Sequence, residues 1–294
     1  MKMKPIFLLV SVALLSTNVS AKSVPAPLNE SVSEQIVAEQ RQQLAKNTDG
    51  QGFGPQSPRD IRQLAGDNSL VYSAAPPAST MNLCNIHFHK NAEHVGGEFT
   101  THAGNGNSQG HQAGFKYSGK LTAAELAPIK QDICPSKQGS LTPGDTIEVH
   151  YVYSSAQITP GPTLGACFND TIKNPQLRVQ AQVYVLVNDS KALDFEDLTQ
   201  HGEKNGVQQA LNMPDNTGPA VEYAGSTTGP SYNEVGSPFQ VSWSVKPKVA
   251  KVNIASLGQW CKSNVFNEDH AHGVRNLVTN PALLSSIDAE TAIQ

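Results

Sequence analysis

Charge is scarce in this chain: Lys, Arg, Asp and Glu make up 16% of 294 residues, and the formal net charge is −4. Lys and Arg gather in no cluster, which argues against a nucleic-acid partner. Beyond the N-terminus no apolar run approaches the ~20 residues that cross a bilayer, so no membrane span is expected in the mature protein. The four cysteines form no C-x-x-C pair, and the G-x-S-x-G string at Gly106-Asn107-Ser108-Gln109-Gly110 lies in a Gly/Asn/His-rich stretch without periodicity, not between a strand and a helix, which leaves serine-hydrolase chemistry without support. Internal repeats and low-complexity blocks are also missing.

What is present begins with an export signal. Lys2 and Lys4 form a basic stretch, Ile6 to Leu15 an apolar one, and Val19-Ser20-Ala21 a small-residue cleavage site. Residues 1–21 read as a secretory signal peptide, which predicts a periplasmic or secreted protein. Removing them leaves about 270 residues, enough for one large domain. Residues 22–75 read as an N-terminal arm that packs on the domain formed by 76–294. In an exported chain Cys84, Cys134, Cys167 and Cys261 read as two disulfides. Three pairings are possible and sequence does not choose among them; zinc coordination by the cysteines is the rival reading.

The 23 Gly and 19 Pro, with many Ser, Thr and Asn, suggest a loop-rich β protein. Strands are predicted at Leu83–His89, Thr146–Ser154, Leu177–Asn188, Phe239–Val245 and Val249–Ile254. The clearest carries Leu177, Val179, Ala181, Val183, Val185 and Val187 on one face. Helices are predicted over Asn29–Asn47, near Thr122–Gln131 and near Pro281–Ile287, with a helical turn at Pro58–Leu64. Glu98 to Gln112 reads as a long surface loop. The fold class is mainly β with peripheral helices (α+β), a single domain on a central, largely antiparallel sheet that carries a metal site.

That site is legible at His87-Phe88-His89-Lys90-Asn91-Ala92-Glu93-His94. On a strand His87 and His89 share one face while Phe88 points the other way. A catalytic zinc centre takes three protein ligands and keeps one open position. His150 supplies a third, on a strand face it shares with Glu148 and opposite Val149 and Tyr151. A lone strand histidine is more often an interior hydrogen-bonding residue; beside a His-x-His strand it reads as a ligand. Glu148, two residues earlier, is placed to accept a ring N–H and orient a ligand. Cys84, three residues before His87, reads as a covalent anchor for that strand.

These residues resemble the ligand strands of alpha-type carbonic anhydrases, in which His-x-His precedes Ser/Ala-Glu-His and a third ligand lies in Glu-Leu/Met-His-x-Val. Tyr223-Ala224-Gly225-Ser226-Thr227-Thr228-Gly229-Pro230 is similar to the family's Gly-Ser-Leu-Thr-Thr-Pro-Pro segment, and Val241-Ser242-Trp243 to its Val-x-Trp. With Cys84-Asn85 ahead of the histidines and Thr-Thr-Gly-Pro-Ser-Tyr downstream, the delta class is the nearer likeness, over roughly residues 80–262. Three features depart from the alpha pattern. About sixty residues separate His89 from His150, Ser226 stands where the family has Leu, and no counterpart of the proton-shuttling histidine is found.

The resemblance implies Zn²⁺ on His87, His89 and His150 with water in the fourth position, and CO₂ and bicarbonate as substrate and product. It implies that Thr227 orients the attacking oxygen and donates its own proton to Glu93. His94 is expected to be a structural hydrogen-bonding residue. Val152, Val241, Trp243 and Thr228 are expected to line the CO₂ pocket. His102 and His111 are shuttle candidates because they lie on a polar loop and titrate near neutrality. Two rivals remain. A cupin would use Glu93 as a direct ligand beside His87 and His89, but Thr100 stands where its pattern wants Gly and Pro143-Gly144 lies too far from His150. A non-catalytic carbonic-anhydrase-like binding module would be marked by loss of a histidine, and all three are present. The oligomeric state is not legible.

Overall fold

A computed structural model describes residues 31–70, 72–227 and 230–286. The expected signal peptide, Thr228 and Ile287 lie outside the described residues. In chain order the elements are α1 (Glu34–Thr48), β1 (Asn82–Lys90), β2 (Thr101–His102), β3 (Phe115–Lys116), β4 (Ile133–Ser136), β5 (Gly139–Leu141), β6 (Thr146–Ser154), β7 (Leu177–Val187), α2 (Phe195–Leu198), β8 (His201–Lys204), β9 (Val207–Ala210), β10 (Val221–Ser226), β11 (Gln240–Asn253) and α3 (Ile254–Trp260). Short 3₁₀ turns punctuate them.

Five strands form the central sheet in the order β1-β6-β7-β11-β10. All neighbours are antiparallel except β7 and β11, which run parallel. The sheet is therefore mixed and largely antiparallel, as the composition and alternation predicted. Three two-stranded hairpins, β2-β3, β4-β5 and β8-β9, lie outside it.

Burial on both faces explains the apolar strands. One face packs Ile86, Phe88, Val149, Tyr151, Tyr153 and Tyr184 against α2 and α3 through Phe195 and Trp260. The other packs Val152, Val179, Ala181, Val183, Tyr223, Val241, Trp243 and Val245. In β7 the consecutive Val183, Tyr184, Val185, Leu186 and Val187 are thus all buried, since residues of opposite parity enter opposite faces.

Several expectations need correction. The two strands predicted at 239–245 and 249–254 are one long β11, whose pairing with β7 shifts register between Val245 and Val249. Pro247 sits in that gap; it has no N–H to give the ladder, so pairing stops and resumes. The edge strand β10 went unpredicted because its Gly and Ser residues carry no strand signal. Thr122–Gln131 closes two backbone turns, Leu126 N to Thr122 O and Ala127 N to Ala124 O, and forms no helix, and Pro128 blocks continuation. Pro58–Leu64 likewise holds a single turn, Gln63 N to Asp60 O. The predicted C-terminal helix is a 3₁₀ turn at Pro281–Leu283, capped by Asn280.

Helix α1 begins where Ser33 accepts the Ile36 N–H, a conventional N-cap. Val37 and Leu44 of its apolar stripe are buried and Ile36 is not. Leu44 packs with Val278, Leu283 and Leu284. Two disulfides complete the frame, Cys84–Cys167 and Cys134–Cys261. They suit an oxidising compartment. Among the described residues no helix is long and apolar enough to cross a membrane.

Candidate metal centre

The register of β1 on β6 sets His87 opposite His150 and His89 opposite Glu148. All four therefore rise from the same face, at the centre of the sheet pair. One ring nitrogen from each of His87, His89 and His150 lies within 4.8 Å of the others. His89 and His150 are buried and His87 is half-buried.

Acceptors behind the rings decide what the front nitrogens offer. Asn85 Oδ1 takes His87 Nδ1–H at 2.7 Å, and the Asn85 amide is itself oriented by donating to Gly161 O. Gly273 O takes His89 Nδ1–H at 2.7 Å. Glu148 Oε1 takes His150 Nε2–H at 2.9 Å. With the outer nitrogens protonated, His87 Nε2, His89 Nε2 and His150 Nδ1 present lone pairs to one another. Burial lowers the pKa of all three, His89 to about 4, and the neighbouring imidazoles push the same way. They are neutral imidazoles at neutral pH, the form that binds a metal.

Two observations speak for a metal ion in the space between the rings. His89 Nε2 is buried with no hydrogen-bond partner, a costly state for a polar atom unless something else fills the position. His150 Nδ1 and His87 Nε2 stand 3.2 Å apart with lone pairs facing. Nitrogens at 2.0–2.1 Å from a tetrahedral zinc are about 3.3 Å from each other. The donor set is all nitrogen and three-membered, and it would leave a tetrahedral ion one position for solvent.

Glu148 is the hub behind the cluster. Its Oε2 accepts the backbone N–H groups of Glu93 and His94 at 2.8 and 3.2 Å, and its Oε1 also pairs with His94 Nδ1 at 2.7 Å. Burial alone would raise this carboxyl, yet neighbouring His94 and the hydrogen bonds from His150 and His94 hold it well below the usual range. His94 Nε2 continues the chain to Tyr223 OH at 2.6 Å, and Tyr223 donates to Ser57 Oγ at 3.1 Å.

Glu93 lies on the outer side of the rings. Its carboxylate oxygens are 3.8 Å from His89 Nδ1 and 3.7 Å from His150 Nε2, the nitrogens already engaged as donors. Glu93, Glu148 and His150 also form a compact group that could hold an ion, in which His150 Nε2–H and the Glu93 backbone N–H both donate to Glu148. Thr227 is buried, but its hydroxyl pairs with Ser237 Oγ at 3.2 Å instead of Glu93.

The remaining expected residues divide. Trp243 packs its ring 5.0 Å from those of His94 and His150 and donates Nε1–H to Ser226 O. Val152 and Val241 are buried in the same apolar cluster as Trp243. His102 lies on β2 against Phe115, and His111 on the following loop. Neither ring is among those packed on the cluster. The histidine that does pack there is His272, whose ring is 5.7 Å from those of both His87 and His89. Burial by itself lowers His272, but the hydrogen bond and charge of Glu268 carry it above the ordinary histidine value.

Sequence reasoning passed over several contributors. Asn85 had a signal, since it sits two residues before His87 on the same strand face. Tyr223 had one only within a motif. Gln56, Ser57, Gly273 and Arg275 had none, because loops bring them in from either end of the chain. Gly225 is explained by this convergence: an added Cβ would lie 2.0 Å from Ser57 Oγ and 2.9 Å from Trp243 Cδ1.

The family model for delta carbonic anhydrases matches residues 78–256. Among solved structures, the chain is similar to the complex of alpha-carbonic anhydrase from Thermovibrio ammonificans with inhibitor sulfanilamide, at 15% identity over 76% of this chain and 84% of that one, with a TM-score of 0.27. It is also similar to Photobacterium profundum alpha-carbonic anhydrase, at 16% identity over 84% of this chain and 95% of that one, with a TM-score of 0.26. Likenesses this distant carry no argument about the site. No curated protein matches.

Proposed function

Because the chain belongs to the delta carbonic anhydrase family, we propose that it catalyses the zinc-dependent, reversible hydration of CO₂ to bicarbonate and a proton. The observation that carries this reading is the set of three neutral imidazoles whose outer nitrogens are all engaged and whose inner lone pairs converge.

His87, His89 and His150 would hold the ion. When bound, zinc supplies a Lewis acid that brings the pKa of a water ligand to about 7, a value known from carbonic anhydrases and not read from these residues. Glu148, Asn85 and Gly273 O keep each ring in the tautomer that offers a lone pair inward. The Thr227 hydroxyl accepts a hydrogen bond from the attacking oxygen and so aims its remaining lone pair. Val152, Val241 and Trp243 supply an apolar wall against which CO₂ can rest without competing hydrogen bonds. The oxygen adds to the carbon, one C=O bond becomes C–O⁻, and the proton released leaves to solvent. Export through residues 1–21 belongs to the same proposal and is supported by the two disulfides.

Stopped-flow CO₂ hydration on the zinc-loaded, oxidised protein is the test. Turnover that a chelator abolishes and zinc restores is expected. A zinc-replete protein without turnover would instead favour a binding role for this scaffold.

A further inference from the structure

The sheet carries a cavity of about 330 Å³ at the end where β7 and β11 begin. Register sets it apart from the histidines. Ala181 of β7 pairs with His150 on one side and Val245 on the other, so Val241, Trp243 and Val245 share the face of the metal ligands. Gln240 and Ser242 of β11, and Ala224 of β10 opposite Ser242, lie on the other face, and all three line the cavity. Residues between Asn68 and Ala75 form its outer wall. They are tied to the sheet where the Ala75 N–H donates to Ser242 Oγ at 2.8 Å.

Gln240 stands out in this wall. Its Nε2 and Oε1 are both buried and neither has a hydrogen-bond partner; among the described residues it is the one side chain with two such atoms. A buried primary amide in that state is costly and calls for a partner. The amide packs with the Tyr72 ring in the space that Gly54 leaves: an added Cβ there would lie 2.8 Å from Gln240 Nε2 and 2.2 Å from Tyr72 Cε2. Tyr72 is 38% exposed, and it is the side chain that a ligand reaching the amide would move aside.

The walls narrow the chemistry of that ligand. Among the described residues lining the cavity none is charged, so an ionic ligand would be buried without a counter-charge, at high cost. Ser73, Asn174 and Ser286 offer hydroxyl and amide groups, while Leu70 and Tyr72 offer apolar surface. A sugar ring matches both, with hydroxyls at its edge and C–H groups on its faces. The free donor and acceptor of one carboxamide are matched by one secondary amide, whose C=O accepts from Nε2 and whose N–H donates to Oε1. The volume lies at the small end of the ~300–1,000 Å³ usual for ligand sites.

We propose that this cavity binds a neutral N-acetylated amino sugar, the Gln240 carboxamide pairing with its acetamido group and the Tyr72 ring packing on its C–H face. The site is separate from the metal centre and does not depend on the activity proposed above.

Heteronuclear NMR titration of the protein with N-acetylglucosamine tests it. The Gln240 side-chain amide signals, assigned by their absence from Gln240→Met, should shift saturably. Gln240→Met loses no side-chain hydrogen bond of the free protein, so it should fold, and zinc content and CO₂ turnover should match wild type. It should bind the sugar about tenfold or more weakly, the scale of a lost pair of hydrogen bonds. Glucose, which lacks the acetamido group, should bind wild type with a similar loss. Glucosamine, whose ammonium finds no carboxylate in the cavity, should not bind. A Gln240 amide that N-acetylglucosamine leaves unmoved overturns the proposal, as does an equal affinity in Gln240→Met. Glucose or glucosamine binding as well as N-acetylglucosamine would overturn the acetamido pairing, and the proposal with it.

Discussion

The two faces of the central sheet are lined by alternate residues of the same strands. On one, Ile86 and Phe88 of β1 and Val149 and Tyr151 of β6 interdigitate with Phe195 and Trp260 of the covering helices. On the other, His87, His89, Glu148 and His150 rise from the residues between them. The first face is held by burial, which has no direction, and a neighbour can be replaced by another of like volume at small cost. The second is held by hydrogen bonds whose donors and acceptors must each be matched, because an unsatisfied buried polar atom is expensive. One pair of strands thus carries a tolerant face and an exacting one, a single residue apart.

The sharpest way to separate the faces is to remove one residue from each. His150→Ala should abolish stoichiometric zinc binding and CO₂ turnover, measured by metal analysis and stopped flow. The fold should survive it, because Glu148 keeps His94 and two backbone N–H donors. Phe88→Ala should do the reverse: a loss of about 3–5 kcal/mol in stability by urea titration, with zinc content and turnover per folded molecule unchanged. If Phe88→Ala lost zinc while still folded, the faces would not be independent.

Within the exacting face the effects should grade with distance from the front nitrogens. Asn85→Ala leaves His87 in place but frees its tautomer, and should weaken zinc affinity by about 10–100-fold. An unchanged zinc affinity in a chelator competition would show that Asn85 does not orient the ring.

A smaller effect is expected from pH on the metal-free protein. Burial lowers His89 from its ordinary 6.5 to about 4, so between these values the unfolded chain takes up a proton that the folded one refuses. The contribution is fully present above about 6.5 and is lost as pH falls through about 4. His87 and His150 are lowered in the same direction. The urea midpoint of metal-free protein should therefore be lower at pH 5 than at pH 7. A midpoint that rose would reverse the sign of these shifts.

The same contrast explains what could be read from the chain beforehand. Strands β6 and β7 stood out because each alternates over nine or more residues, and the histidine triad stood out because His-x-His is a local pattern. The break within β11 at Pro247 was visible and over-interpreted as a chain end of one strand. The edge strand β10 was invisible, since Gly225 and Ser226 meet Ser57 and Trp243 at close range and carry no strand propensity. The contacts around Thr227 were equally hidden. Ser237, beside its hydroxyl, accepts at its carbonyl from Gln56, 181 residues away, and no periodicity or spacing connects them before the fold does. Exacting contacts of long sequence separation are what a single sequence conceals best.

The most direct measurement on the exacting face is zinc-edge X-ray absorption of the zinc-loaded protein. Three imidazole nitrogens and one further light atom at about 2.0–2.1 Å, with no sulfur at 2.3 Å, are predicted. A shell containing sulfur, or a fourth protein ligand such as the Glu93 carboxylate, would contradict the account.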